Sequence, residues 1–268
     1  MCGLASFIGK SKNQNLSFDL FQNLFILLEE RGIDASRFCA SLNNNNEFVT
    51  NKKSCPASSF VKDDSWKSLK NYDLDLLLIH TRKTSSNSGS ASSNENNHPF
   101  LALNTKSALV HNGIIHEYQR LKKQYHCFTD CDSEILLRIL DFPFEEKEYL
   151  DYRKKQIKGL LGLIKNSEFT FLLADILSDK KSLWAVKNEL RPLFLIDAKD
   201  YLNQYIFVST VDIWQNAIEK VKDFNLKKCK VYFLENNFII NILYHQNDFS
   251  LKFFSYNWEN YQDFNLIK

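Results

Sequence analysis

The apolar residues of this chain are gathered into short runs, and that spacing limits the folds open to it. Residues 3–9, 74–79 and 107–111 are such runs in the first half. The second half is denser, with runs at 168–174, 182–187, 192–196, 205–209, 230–235, 238–244 and 249–256. Each has the length of a buried strand rather than of a membrane span, which needs about 20 consecutive apolar residues. Helical periodicity lies between them. In Ser17–Arg31 the residues Phe18, Phe21, Leu24, Phe25 and Leu28 share one face, with Ser17 as N-cap and Gly32 as the stop. Ile114–Gln124, Asp132–Leu140 (Asp132 as N-cap), Glu146–Leu163 and Val211–Lys220 also read as helices. Residues 230–235 and 238–244 read as a hairpin across Asn236-Asn237. The Asn43–Asn46 tract reads as a turn, and 83–97 as a long loop. One α+β domain with several buried strands is the simplest architecture.

Charge excludes some functions. With 34 basic and 32 acidic residues, a formal charge of +2 does not suit a chain whose main partner is nucleic acid. The lysines of 220–230 read as a solvated edge. The N-terminus lacks the basic region and long apolar stretch of a secretory signal, so a cytoplasmic protein without a membrane partner is expected. The six cysteines show no disulfide framework. Cys127 and Cys131, beside His126, have no second ligand pair, so they read as reduced thiols. No metal or cofactor is expected.

Cys2 is different. Met1 precedes a small residue, and its removal leaves a cysteine that carries both a thiol and a free α-amine. The ordinary pKa of that amine, about 7.7–8.0, suits it to take the thiol proton and return it to a leaving amine. Gly3, Gly32 and Gly113 are three of only seven glycines, and each falls in a segment that proves informative below.

Nine segments, in order, carry a resemblance. They are Cys2-Gly3-Leu4, Leu28–Ser36, Ile79-His80-Thr81-Arg82, Asn97-His98-Pro99-Phe100, Val110-His111-Asn112-Gly113-Ile114-Ile115, Thr129–Glu134, Glu189-Leu190-Arg191-Pro192-Leu193, Phe207-Val208-Ser209-Thr210 and Val231–Asn237. Together they resemble the class II glutamine amidotransferases, a family of N-terminal-nucleophile hydrolases. The resemblance implies a four-layer αββα sandwich over residues 2–244, with 245–268 as a C-terminal extension packed on the same domain. It implies Cys2 as nucleophile and the Asn112 side-chain amide with the Gly113 N–H as oxyanion donors. Arg82 would bind the substrate α-carboxylate and Asp132 its α-ammonium. His80, His98 and His111 would support the backbone.

The chain departs from the family pattern after Arg82, where Lys83-Thr84-Ser85-Ser86 replaces a segment with tryptophan. Ser85 is the candidate hydrogen-bond partner for substrate there. No synthase domain is expected within the 268 residues. The expected chemistry is hydrolysis of the glutamine γ-amide, with ammonia passing to a separate synthetase or acceptor subunit. The alternatives are a γ-glutamyl peptide hydrolase and a non-catalytic binding module that kept the fold.

Overall fold

Continuous apolar runs, rather than strictly alternating ones, signal strands covered on both faces, and that is how they are used. In β1 (Gly3–Ile8), Leu4 and Ile8 pack toward an apolar layer between two sheets, while Ala5 and Phe7 pack toward helices. The computed structural model describes residues 1–42, 46–84, 89–256 and the backbone of 265–266. The first sheet places β1 at its centre. On one side lie β4 (Leu74–Arg82), β2 (Ala35–Leu42) and β3 (Phe48–Lys53); on the other lie β10 (Gln204–Val208), β9 (Phe194–Ala198) and β11 (Lys230–Phe233). The second sheet runs β5 (Phe100–Leu101), β6 (Ser107–Ile114), β7 (Glu168–Ile176), β8 (Lys181–Lys187), β12 (Phe238–His245), β13 (Asp248–Ser255) and β14 (Asn265–Leu266). All pairings are antiparallel.

Helices cover the outer faces. α1 (Gln14–Leu27), α2 (Ala57–Phe60), α3 (Asp64–Lys67) and α8 (Val211–Glu219) pack on the first sheet around Phe21, Phe25, Trp66 and Trp214. α4 (Tyr118–Gln124), α5 (Glu134–Leu140) and α6 (Tyr149–Leu163) pack on the second around Leu136, Leu160 and Phe171. The short α7 (Lys199–Leu202) links β9 to β10. The result is the four-layer αββα sandwich expected above. No helix among the described residues is long and apolar enough to cross a membrane.

Local boundaries differ from the sequence reading for identifiable reasons. α1 begins at Gln14, because the Asn13 side chain accepts the Leu16 N–H at 3.1 Å. Ser17 is buried instead, and its hydroxyl donates to Gln204 Oε1 at 2.9 Å. Asp132 does not cap α5. Its Oδ2 accepts the Ile115 N–H at 2.8 Å, and the cap position belongs to Ser133. The same bond holds Ile115 outside a helix, so α4 starts only at Tyr118. The expected hairpin across Asn236-Asn237 is not one. β11 pairs with β9 in the first sheet and β12 with β8 in the second, so the chain crosses between sheets there. The hairpin lies one strand later, between β12 and β13, where Gln246 and Asn247 take positive φ of 48° and 71°. Asn43–Asn45 of the expected turn lie outside the described residues.

Candidate active site

The strand registers bring the chemistry to one end of the sandwich. Gly3 pairs with Thr81, so Cys2 lies at the β1 terminus beside the end of β4, where Arg82 sits. From the second sheet, β6 delivers Asn112 and Gly113 at its own end. Asp132 arrives on the segment before α5. Cys2, Arg82, Asn112, Gly113 and Asp132 all line one cavity of about 200 Å³, together with Arg31, Lys83, Thr84, His98, His111 and Arg191. Ser85, the remaining candidate, lies outside the described residues.

Each group is held by specific neighbours. The Cys2 carbonyl accepts Arg31 Nε at 2.7 Å, and the Lys83 N–H reaches the Cys2 sulfur at 3.4 Å. Cys2 is partly exposed as a residue, yet desolvation around its sulfur pushes the thiol above its ordinary value, against the lowering effect of the Lys83 backbone. The Asn112 side-chain nitrogen donates to Ser209 Oγ at 3.2 Å, and that hydroxyl also meets the Leu4 N–H at 2.9 Å. Ser209 therefore ties the amide of Asn112 to the strand that carries Cys2. The Asn112 amide keeps a second N–H, and Gly113 follows it near the end of β6.

Gly113 has no substitute. Its φ is +152°, and a Cβ would stand 1.9 Å from the Glu168 carbonyl oxygen. Gly32 is constrained differently: a Cβ there would meet the Arg82 carbonyl carbon at 2.4 Å, so the chain could not pass against the end of β4.

Arg82 is 1% exposed and holds the 89–97 segment. Its guanidinium donates to Gly89 O at 2.7 Å, to Asn96 O at 2.9 Å and to Asn97 Oδ1. Asp132 is buried, and desolvation raises its carboxyl to about 6 despite the Ile115 and Ser133 hydrogen bonds. His111 Nδ1 bonds Ser133 Oγ at 2.7 Å, which bonds Asp132 Oδ1 at 3.2 Å. His80 Nε2 bonds the His111 carbonyl at 3.1 Å, and the His98 ring lies 4.2 Å from that of His80. Burial pushes all three imidazoles well down, His111 to about 3. All three are therefore neutral near pH 7 and are weak bases.

No family model matches the chain. Curated relatives do. Glutamine–fructose-6-phosphate aminotransferase of Helicobacter pylori is 25% identical over 256 residues, 88% of this chain and 40% of the relative. A probable glutamine–fructose-6-phosphate aminotransferase of Acanthamoeba polyphaga mimivirus is 24% identical over 178 residues, 63% of this chain and 28% of the relative. The chain thus spans less than half the length of these curated relatives. Along most of its length the chain is similar to glutamine amidotransferases. Solved structures share its fold. Glutamine phosphoribosylpyrophosphate amidotransferase from B. subtilis superimposes with a TM-score of 0.65 at 17% identity, covering 93% of this chain and 48% of that one. A glutamine aminotransferase class-II domain protein from Silicibacter pomeroyi gives 0.52 at 16% identity, covering 93% and 98%.

The site includes residues to which the sequence assigns no role. Ser209 and Arg31 lay inside recognised segments, but nothing local told that one would hold Asn112 and the other the Cys2 carbonyl. Both contacts join residues distant in sequence. Arg37 carried no signal at all. It is fully buried on β2, paired in register with His80 and Lys52, and its guanidinium nitrogens have no hydrogen-bond partner among the described residues.

Proposed function

We propose that this domain hydrolyses the γ-amide of glutamine through a Cys2 γ-glutamyl thioester, releasing glutamate and ammonia. The observation that carries the reading is the convergence of the Cys2 thiol, the Asn112 amide, the Gly113 N–H, Arg82 and Asp132 on one cavity. Burial keeps the Cys2 thiol protonated near neutral pH, so a base must act at the moment of attack. The neighbouring imidazoles are too weakly basic. After removal of Met1 the α-amine of Cys2 itself fits the task. The amine takes the thiol proton and the sulfur attacks the γ-carbonyl carbon. The oxygen becomes anionic against Asn112 and Gly113. The C–N bond then breaks as the ammonium returns a proton to departing ammonia, and water cleaves the thioester to free glutamate.

In this reading Arg82 takes the α-carboxylate and Asp132 the α-ammonium. Residues 2–244 form the catalytic domain. Residues 245–268 are an extension on it, a view supported by the pairing of β13 with β12. Ammonia would pass to a separate acceptor enzyme. A glutamine substrate and free thiols at all six cysteines fit a cytoplasmic setting.

The test is release of glutamate and ammonia from glutamine by purified protein, with N-terminal mass analysis. The expected product begins at Cys2, and Cys2→Ala abolishes turnover. Full activity in that variant would overturn the assignment.

A further inference from the structure

At the end of the sandwich away from Cys2, the two sheets open into a cleft of about 400 Å³. Two buried charges of opposite sign line it, one from each sheet. Asp75 stands near the start of β4 and is 3% exposed; Lys181 opens β8 and is 5% exposed. Each is close enough to ease the charging of the other. No ion pair joins them among the described residues. Asp75 Oδ1 is buried without a hydrogen-bond partner there, and so is the hydroxyl of the nearby Ser41. The Lys181 ammonium donates to Asn46 Oδ1 at 3.3 Å, a neutral acceptor that leaves its charge unmatched.

The other charges of the cleft have partners of their own. Lys10 pairs with Asp73 at 2.5 Å, and Asp179 faces Lys180 at 3.8 Å. His245 Nδ1 bonds the Asp179 carbonyl at 2.8 Å. The two unmatched groups are also fixed in place. The Gly9 N–H donates to the Asp75 carbonyl at 2.7 Å, and Lys181 is paired in register with Tyr244 of β12. A buried carboxylate and a buried ammonium that share a cleft without touching are each costly as they stand. A simple anion would match Lys181 and be repelled by Asp75, and a simple cation would do the reverse. A metal ion fits no better, since no three metal-ligating side chains are grouped to hold one among the described residues. A short molecule that carries both charges satisfies both groups at once.

We propose that this cleft is a second binding site of the domain, for a free α-amino acid whose ammonium meets Asp75 and whose carboxylate meets Lys181. The site is non-covalent and independent of the reaction proposed for Cys2. Its specificity lies in the two charges, so the side chain of the amino acid matters less than the presence of both.

The test is hydrogen–deuterium exchange of the full chain at about pH 7.5, where the Asp75 carboxyl, raised by burial to about 6, is ionised. Glycine, L-alanine and L-glutamate are the probes, with methylamine and acetate as controls that carry one charge each. The amino acids should slow exchange in peptides at 178–181 and 244–248, and the controls should not. Those peptides are separate from the ones around Arg82, Gly113 and Asp132, so occupancy of the Cys2 cavity is read apart. Asp75→Asn and Lys181→Met should each raise the half-saturating concentration about tenfold or more, as for loss of a charge-assisted bond. Asp75→Asn keeps the shape of the side chain and decides the matter if Lys181→Met does not fold. Protection confined to the Cys2 end, equal protection by a control, or an unchanged concentration in Asp75→Asn overturns the proposal. None of these outcomes touches the Cys2 chemistry, which glutamine turnover tests.

Discussion

At the scale of single residues, the site depends on donors whose direction is set from a distance. Asn112 is the clearest case, because one N–H is spent on Ser209 and the proposed reading assigns the other to the developing oxyanion. Asn112→Ala should lower kcat for glutamine about 10²–10³-fold, the usual loss for one oxyanion donor. KM should change only a few-fold, and steady-state kinetics would show the split. Arg37 tests the opposite kind of residue. It is fully buried, lacks an acceptor and lies within the electrostatic reach of Arg82, and desolvation drops it to about 8. A charge in that position costs more than it returns. Arg37→Met should therefore raise stability by about 1–3 kcal/mol in denaturant melts. The contrast explains what single residues disclose. Cys2, Asn112 and Asp132 stand in short recognisable segments. Arg37 stands in a plain strand, and the isolation of its side chain follows from three-dimensional neighbours that no local pattern encodes.

At the scale of elements, strands were more legible than their partners. The runs at 3–9, 74–79 and 107–111 became β1, β4 and β6 with small changes at the ends. Partner choice was misread at Asn236-Asn237, because a polar dipeptide between two strands suits a sheet-to-sheet crossing as well as a hairpin. Only Gln246-Asn247 has the two positive φ values of a tight turn. β2 and β3 went unread, since Phe48–Lys53 has neither a sustained apolar run nor alternation. The loop after β4 shows the coupling of an element to a side chain. Gly89, Asn96 and Asn97 all accept from Arg82, so this one guanidinium fastens the described part of the 89–97 segment. A lysine keeps the charge but loses the planar fork. Arg82→Lys should raise KM for glutamine about tenfold or more. It should also speed proteolysis within 89–97, read by mass mapping of the fragments.

At the scale of the whole molecule, the sandwich has polar groups at both mouths. The end opposite Cys2 opens into a cleft of about 400 Å³ lined by Asp75, Lys181, Tyr244 and His245. Asp75 is 3% exposed, and desolvation raises it to about 6 even with Lys181 nearby. The folded protein therefore holds that proton up to about pH 6, whereas an unfolded chain releases it near 3.9. Between those values folding takes up a proton, so this group's contribution to stability falls as pH rises through the window. Asp75→Asn removes the dependence. At pH 7.5 it should be more stable than the parent by on the order of 2 kcal/mol, and at pH 4 the two should coincide. Thermal melts at both values decide it.

β1 has a further consequence at this scale. It is the middle strand of its sheet, and Leu4 is locked to Ser209 across 205 residues by hydrogen bonds in both directions. That serine is also the support of Asn112. In the proposed reading, β1 and Cys2 are made well before β10, the strand leading to this serine. The Asn112 amide is therefore held for the reaction only once β10 has been inserted beside β1, so the order of assembly itself guards against premature amide cleavage by unfinished protein.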